Sequence, residues 1–400
     1  MFNMKKTATL VAGLLLVTGT VLATGLNGWE LTGTTVEGDL WLMHSENGPL
    51  TSEGGDLDIT LKATKETEMG TFGVEVFMEN DDDDDNEVSL SYSRTQGNFE
   101  VGMGATILKD PTGNTEDNDA KFDLTTKAGD SSYLKWNVSD KMSLTYYPWE
   151  VAGMSSFDED TFEAFAIGDR TEDNDGDSFV EAKGGLALAI NVNADTTATV
   201  KYAIVSGNED NSENFFAYKG ELKTKVGPAS VDAYVAYTTG FATDYVDGDE
   251  TKGIDDKAMY ALGAIALMDL NEKVSLTVEF NMENIEDAKV GDKKAEDAMG
   301  LFVKGAMKLA DMAEYKPTAY ASFKYLNDVA ANRYEEGHKG LEDYIELEAG
   351  LTLAQGNFSV TPKVVISMQD NTETSYFKEY DGDGKEDMAY KFGVNFKYAL

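Results

Sequence analysis

Lys391-Phe392-Gly393-Val394-Asn395-Phe396-Lys397-Tyr398-Ala399-Leu400 closes the sequence. Side chains alternate across a strand with a period of two. Phe392, Val394, Phe396, Tyr398 and Leu400 therefore share one face, and Lys391, Gly393, Asn395, Lys397 and Ala399 share the other. Apolar on one side and polar on the other is what a strand needs when lipid lies outside it and water inside. In a soluble sheet such a strand would leave an adhesive edge. In a closed transmembrane barrel the last strand pairs with the first and no edge remains.

The opposite end points to export. Lys5 and Lys6 precede an apolar and small-residue run from Ala8 to Val21, and Val21-Leu22-Ala23 suits cleavage by a signal peptidase. Residues 1–23 are expected to be a signal peptide and 24–400 the barrel. No other stretch reaches the roughly 18 apolar residues of a spanning helix, which leaves a secreted soluble protein or a barrel. The absence of Cys excludes a disulfide framework, a thiolate metal site and a lipidated N-terminal cysteine. With 33 Lys and Arg against 73 Asp and Glu, the net charge is −40. Nucleic-acid binding through phosphate neutralisation is thereby excluded, because it needs clustered cations. Yet 42% hydrophobic and 10% aromatic residues are too many for a disordered acidic chain. The charge has to be segregated.

Reading each alternating run as a strand and each Asp, Gly, Asn or Pro cluster as a turn divides the chain into about eighteen strands, with sixteen as the alternative. The connections alternate in length. Short links such as 95–98, 193–195, 226–228 and 355–356 are separated by long ones at 45–55, 80–87, 109–119, 149–178, 206–213, 239–256, 283–296, 327–341 and 370–387. That parity predicts an all-β, transmembrane, antiparallel up-and-down barrel with turns on one rim and loops on the other. One segment strains the pattern: 120–138 reads as a single long strand, with Gly129-Asp130 as a bulge or rim extension. Phe72, Phe99, Trp136, Phe358 and Tyr398 are expected near the short-turn rim, and Tyr92, Tyr146, Tyr237 and Tyr325 nearer the other half.

Lys391, Gly393, Phe396 and Tyr398 resemble the polar, glycine, hydrophobic, hydrophobic signal by which outer-membrane proteins are passed to the barrel-assembly machinery. Leu400 stands where that family ends in Phe and keeps the register. In length, loop parity and closing strand the chain is similar to general porins, and its lysine-bearing interior and acidic loops are similar to fusobacterial major porins. The resemblance implies a non-enzymatic, water-filled channel in the cell outer membrane of a Gram-negative-type envelope, a homotrimer as the assembly, and ions and small hydrophilic solutes as its traffic. It also implies a long loop folded into the lumen as a constriction.

The segment 149–178 is the candidate for that loop. Its first half carries Val151, Met154, Phe157, Phe162, Phe165 and Ile167, too apolar to stand in water. Folded inward, it would present Asp158, Glu159, Asp160, Glu163, Asp169 and Arg170 to the pore. Lys201, Lys304, Lys324, Lys363, Glu279, Glu346 and Glu348 fall on the polar register and are lumen-lining candidates. Asp173, Asp175 and Asp177, like Asp381 and Asp383, alternate as the oxygen ligands of calcium do. No EF-hand loop is complete and solvated acidic loops explain them, so no cofactor or resident metal is assigned. Of the two histidines, His338 with Asp343 is the nearest approach to a catalytic pair, and no serine stands in a catalytic motif. An adhesin or surface structural barrel is the alternative reading, because acidic loops serve a partner as well as a pore.

A closed sheet with every backbone group paired should fractionate with the outer membrane and migrate faster on a detergent gel before boiling than after. Recovery as a soluble periplasmic protein would contradict the barrel.

Overall fold

The computed structural model describes residues 28–44, 51–78, 87–108, 132–148, 151, 182–206, 214–239, 244–247, 250–253, 258–285, 289–290, 293–294, 298–327, 344–369 and 388–399. The first strands are β1 (Glu30–His44), β2 (Thr51–Thr67), β3 (Gly70–Met78), β4 (Glu87–Gln96), β5 (Phe99–Leu108), β6 (Tyr133–Ser139) and β7 (Met142–Tyr147). There follow β8 (Ala182–Asn193), β9 (Thr196–Ser206), β10 (Asn214–Val226), β11 (Ala229–Thr238), β12 (Asp244–Asp247), β13 (Glu250–Gly253), β14 (Met259–Asp269) and β15 (Val274–Ile285). The chain ends with β16 (Lys289–Val290), β17 (Lys293–Lys294), β18 (Ala298–Lys308), β19 (Lys316–Leu326), β20 (Tyr344–Gln355), β21 (Phe358–Gln369) and β22 (Met388–Ala399).

Eighteen of these form one antiparallel sheet in which each strand pairs with its chain neighbours, and β1 pairs with β22 as well as β2. The ring is closed and the sixteen-strand alternative is set aside. The β1 to β22 seam runs from Thr35 opposite Ala399 to His44 opposite Tyr390. On its polar side Lys397 Nζ lies 2.7 Å from Glu37 Oε2. Pairs β12 with β13 and β16 with β17 are separate small hairpins inside two of the long connections, which the alternation pattern reads as loops. Two- and four-residue strands are too short for a period to declare itself.

Several tight turns begin with glycine in the left-handed region. Gly227, at φ +61°, precedes Pro228, and a positive φ at the first turn residue matches the twist of the two strands it joins. The long strand expected over 120–138 is present from Tyr133 onward; its earlier part, with Asp130, lies outside the described residues, as do the signal-peptide segment 1–23 and Leu400.

Cross-strand partners fix which face each residue occupies. Phe99 opposes Trp136, and Tyr202, Tyr218, Tyr237 and Tyr260 follow one another directly across β9, β10, β11 and β14. These belong to the outer, apolar face, where Trp136, Val235, Leu347, Val364 and Phe392 are exposed. The tyrosine row forms the girdle on the long-loop side and Phe99 with Trp136 that on the short-turn side. Tyr92 corrects the expectation made for it. It opposes Phe72, ring centroids 5.0 Å apart, and its hydroxyl donates to the Met69 carbonyl in the adjoining turn at 2.6 Å. It therefore belongs to the short-turn girdle.

Val364 and Lys363 are successive residues on opposite faces in the middle of β21. Val364→Arg places a cation in lipid and should cost about 2–4 kcal/mol of folding stability, whereas Lys363→Arg should change it by less than about 0.5 kcal/mol. Denaturant unfolding in bilayers reads both. Equal losses would invert the assignment of faces.

Candidate functional site

The inner face is the site. Its charges are near balance in the sequence but are distributed unevenly around the ring. On β18 to β22 the inner register carries Lys304, Lys324, Lys363 and Lys397 against Glu346 and Glu348. Lys324 opposes Glu346, while Lys304 and Glu348 both oppose Ser322. On β1 to β6 it carries Glu37, Asp58, Glu75 and Glu100 against Lys62 and Lys135. A basic arc thus meets an acidic arc at the closing seam. The pairs are direct: Lys62 Nζ to Glu75 Oε1 at 2.8 Å and Lys135 Nζ to Glu100 Oε2 at 3.7 Å. Tyr133 donates to Glu100 Oε1 at 2.5 Å.

A different arrangement occupies the outer half of β9 to β15. Glu221 Oε1 accepts Lys201 Nζ at 2.8 Å and Lys219 Nζ at 3.2 Å. Lys219 Nζ lies over the Tyr234 ring, 4.9 Å from its centroid, which adds a quadrupolar attraction to the ion pair. Tyr234 donates to Asn281 Oδ1 at 3.1 Å, and Asn281 Nδ2 donates to Glu279 Oε1 at 2.8 Å. This polar chain crosses β14 at Gly263, directly between Tyr234 and Asn281. A Cβ there would collide with Asn281 Oδ1 and lie 2.5 Å from Tyr234 Cε1. Only a glycine lets the two side chains meet. Buried charge is destabilising unless paired and hydrogen-bonded; Lys201, Lys219 and Glu221 are so paired, while Glu279 accepts a hydrogen bond at Oε1 and its buried Oε2 accepts none.

Val151 shows where the chain goes after β7. It is 1% exposed, and its Cγ2 would collide with a Cβ on Gly185. Gly185 sits on the inner register of β8, in step with Ala187 and opposite Ala203. Val151 therefore packs against the inner wall. Among the candidates named from sequence, Lys201 and Glu279 lie in the buried chain, and Lys304, Lys324, Lys363, Glu346 and Glu348 lie in the basic arc. Lys391, Gly393, Phe396 and Tyr398 are all in β22. Asp158, Glu159, Asp160, Glu163, Asp169 and Arg170 are outside the described residues, as are Asp173, Asp175, Asp177, Asp381, Asp383, His338 and Asp343. Sequence reading missed Tyr133, Tyr234 and Asn281. Their signal was a tyrosine or asparagine on the polar register opposite a glycine of the next strand.

No family model matches the sequence, and no curated protein matches it. Solved structures do match. OprB of Pseudomonas putida superposes with a TM-score of 0.53 at 12% identity, over 96% of this chain and 97% of that one. OpdL of Pseudomonas aeruginosa gives 0.51 at 10% identity over 94% and 99%, and OccK11 of the same organism 0.50 at 10% over 94% and 96%. The likeness is one of fold. It extends over nearly the whole of each chain and matches the closed eighteen-stranded, outer-membrane-type barrel, while the residues inside it are this chain's own.

Gly263→Val should force Tyr234 and Asn281 apart and destabilise the barrel by about 1–3 kcal/mol, the usual range for overpacking. Gly305→Val, where no atom lies within 4 Å of the added Cβ, should fall within about 0.5 kcal/mol of wild type. Similar losses in the two variants would mean that Gly263 is not the crossing point.

Proposed function

We propose that this chain is a porin: a water-filled channel of the outer membrane through which ions and small hydrophilic solutes diffuse passively, without catalysis. The observation that carries the reading is a set of solvent-exposed ion pairs inside a ring whose outside is apolar. Lys62 and Glu75 leave 53% and 41% of their side chains exposed, and Lys223 and Asp232 on the far wall 67% and 31%. Charges of both signs stay hydrated on an inner wall only if water fills the space between. The barrel-assembly machinery would read Lys391, Gly393, Phe396 and Tyr398 as the insertion signal, and a homotrimer is the proposed assembly.

The segment 149–178 is proposed as the constriction, with Asp158, Glu159, Asp160, Glu163, Asp169 and Arg170 presented to the pore. The inward seat of Val151 on Gly185 supports this. The acidic long connections would concentrate cations at the outer mouth, over a Debye length of about 30 Å at 0.01 M salt and about 3 Å at 1 M. The resulting preference for cations should be weak, clear in dilute salt and nearly lost in concentrated salt.

Purified protein in a planar bilayer should give steady single-channel steps, with reversal potentials that follow this salt dependence. Deletion of Ala152 to Arg170 should raise the conductance severalfold. Insertion without steps would favour the adhesin reading; unchanged conductance on deletion would place the segment outside the pore.

A further inference from the structure

We infer that the solute path is off-centre: it runs along the inner wall of β18 to β22 and β1 to β3, while the outer half of the wall formed by β8 to β11, β14 and β15 is dry. The inference rests on the channel reading and adds where the path lies and which charges set its selectivity. A lysine facing an open lumen should be wet. Lys219 is only 4% exposed and Glu279 is fully buried, although both stand on the inner register. Their neighbours on that register, Ala203, Ala217, Ala236 and Ala261, are buried too.

These residues form one continuous patch. Lys201 opposes Lys219, Lys219 opposes Ala236, and Ala236 opposes Ala261, and Val151 is seated beside it on Gly185. The patch combines small side chains with a polar chain linked along the wall, from Lys201 through Glu221, Lys219, Tyr234 and Asn281 to Glu279, where the buried Oε2 accepts no hydrogen bond. That is the construction of a covered surface, because, that one oxygen apart, these groups find partners without water. Nearer the short-turn rim the same strands are open again at Lys223 and Asp232.

The opposite wall is covered only in part: Thr361 and Val365 on the inner register of β21 are buried, while its ion pairs stay in contact with solvent. Lys62, Glu75, Glu37 and Lys397 are substantially exposed in their pairs. Lys363 stands between Gly350 and Gly393 on the adjoining strands, and the Tyr320 ring lies over Gly350 beside it. Lys304 lies over the Tyr320 ring at 4.6 Å, and Ser322 beside it separates Lys304 from Glu348. Selectivity is therefore assigned to Lys62, Glu75, Lys304, Lys324 and Lys363. Lys201 and Lys219, although they make β9 and β10 look strongly basic, do not contribute to it.

The chain contains no cysteine, so a single introduced thiol reports without background. Ser322→Cys and Lys62→Cys probe the open wall, and Ala236→Cys and Ala261→Cys probe the dry patch without disturbing its ion pairs. In folded protein in liposomes, a small charged thiol reagent should modify the first two at least about tenfold faster than the second two, since thiol reactivity follows exposure. All four should react alike after unfolding. Modification of Ala236→Cys or Ala261→Cys as fast as Ser322→Cys in the folded protein would overturn the inference. Labelling is read by mass, so this outcome is independent of whether the wild-type protein conducts, which tests the channel reading.

Discussion

A backbone amide or carbonyl left unpaired in hydrocarbon costs several kcal/mol, and a sheet has no way to satisfy its two edges there except by joining them. The seam between β1 and β22 is where this chain meets that requirement, with ten consecutive residue pairs from Thr35 and Ala399 to His44 and Tyr390. Everything else follows from closure. Closure defines an inside, and the period of two along each strand then assigns every second residue to it.

The two faces solve opposite problems. Outside, the tyrosines of β9 to β14 and the Phe72 and Tyr92 pair place amphipathic rings at the two interfaces, where one end of the ring meets lipid and the other water. Inside, charges are tolerated because water or a partner charge is within reach, and the wall uses both options. Lys62 and Glu75 keep water; Lys201 and Lys219 exchange it for Glu221 and the Tyr234 ring, and Glu279 for Asn281. The exchange depends on glycine. Without the gap at Gly263, Tyr234 could not reach across β14, and the polar chain would part between Tyr234 and Asn281.

The contrast between these walls also shows why counting charges does not give the electrostatics of a channel. Lys201 and Lys62 are the same residue type on the same register, but one is buried with Glu221 while the other keeps 53% of its side chain exposed. A buried ion pair presents little net field to a passing ion, whereas an exposed lysine acts over about a Debye length.

Most of the architecture was legible in the chain. Alternation from Lys391 to Leu400, the parity of short and long connections, and the aromatic residues at strand ends prescribe a closed antiparallel barrel, because a period of two and a ban on open edges leave few other solutions in lipid. Strand count and the polar register of Lys201, Lys304, Lys324, Lys363, Glu279, Glu346 and Glu348 could be read the same way. Tyr92 could not be placed, since its partner Phe72 lies on another strand and the register between them sets its height. The hairpins β12 to β13 and β16 to β17 were too short to show a period. Tertiary structure alone decided which inner residues are wet. That depends on neighbours brought together across strands, such as Gly263 between Tyr234 and Asn281 or Val151 on Gly185, and no one-dimensional pattern carries such contacts.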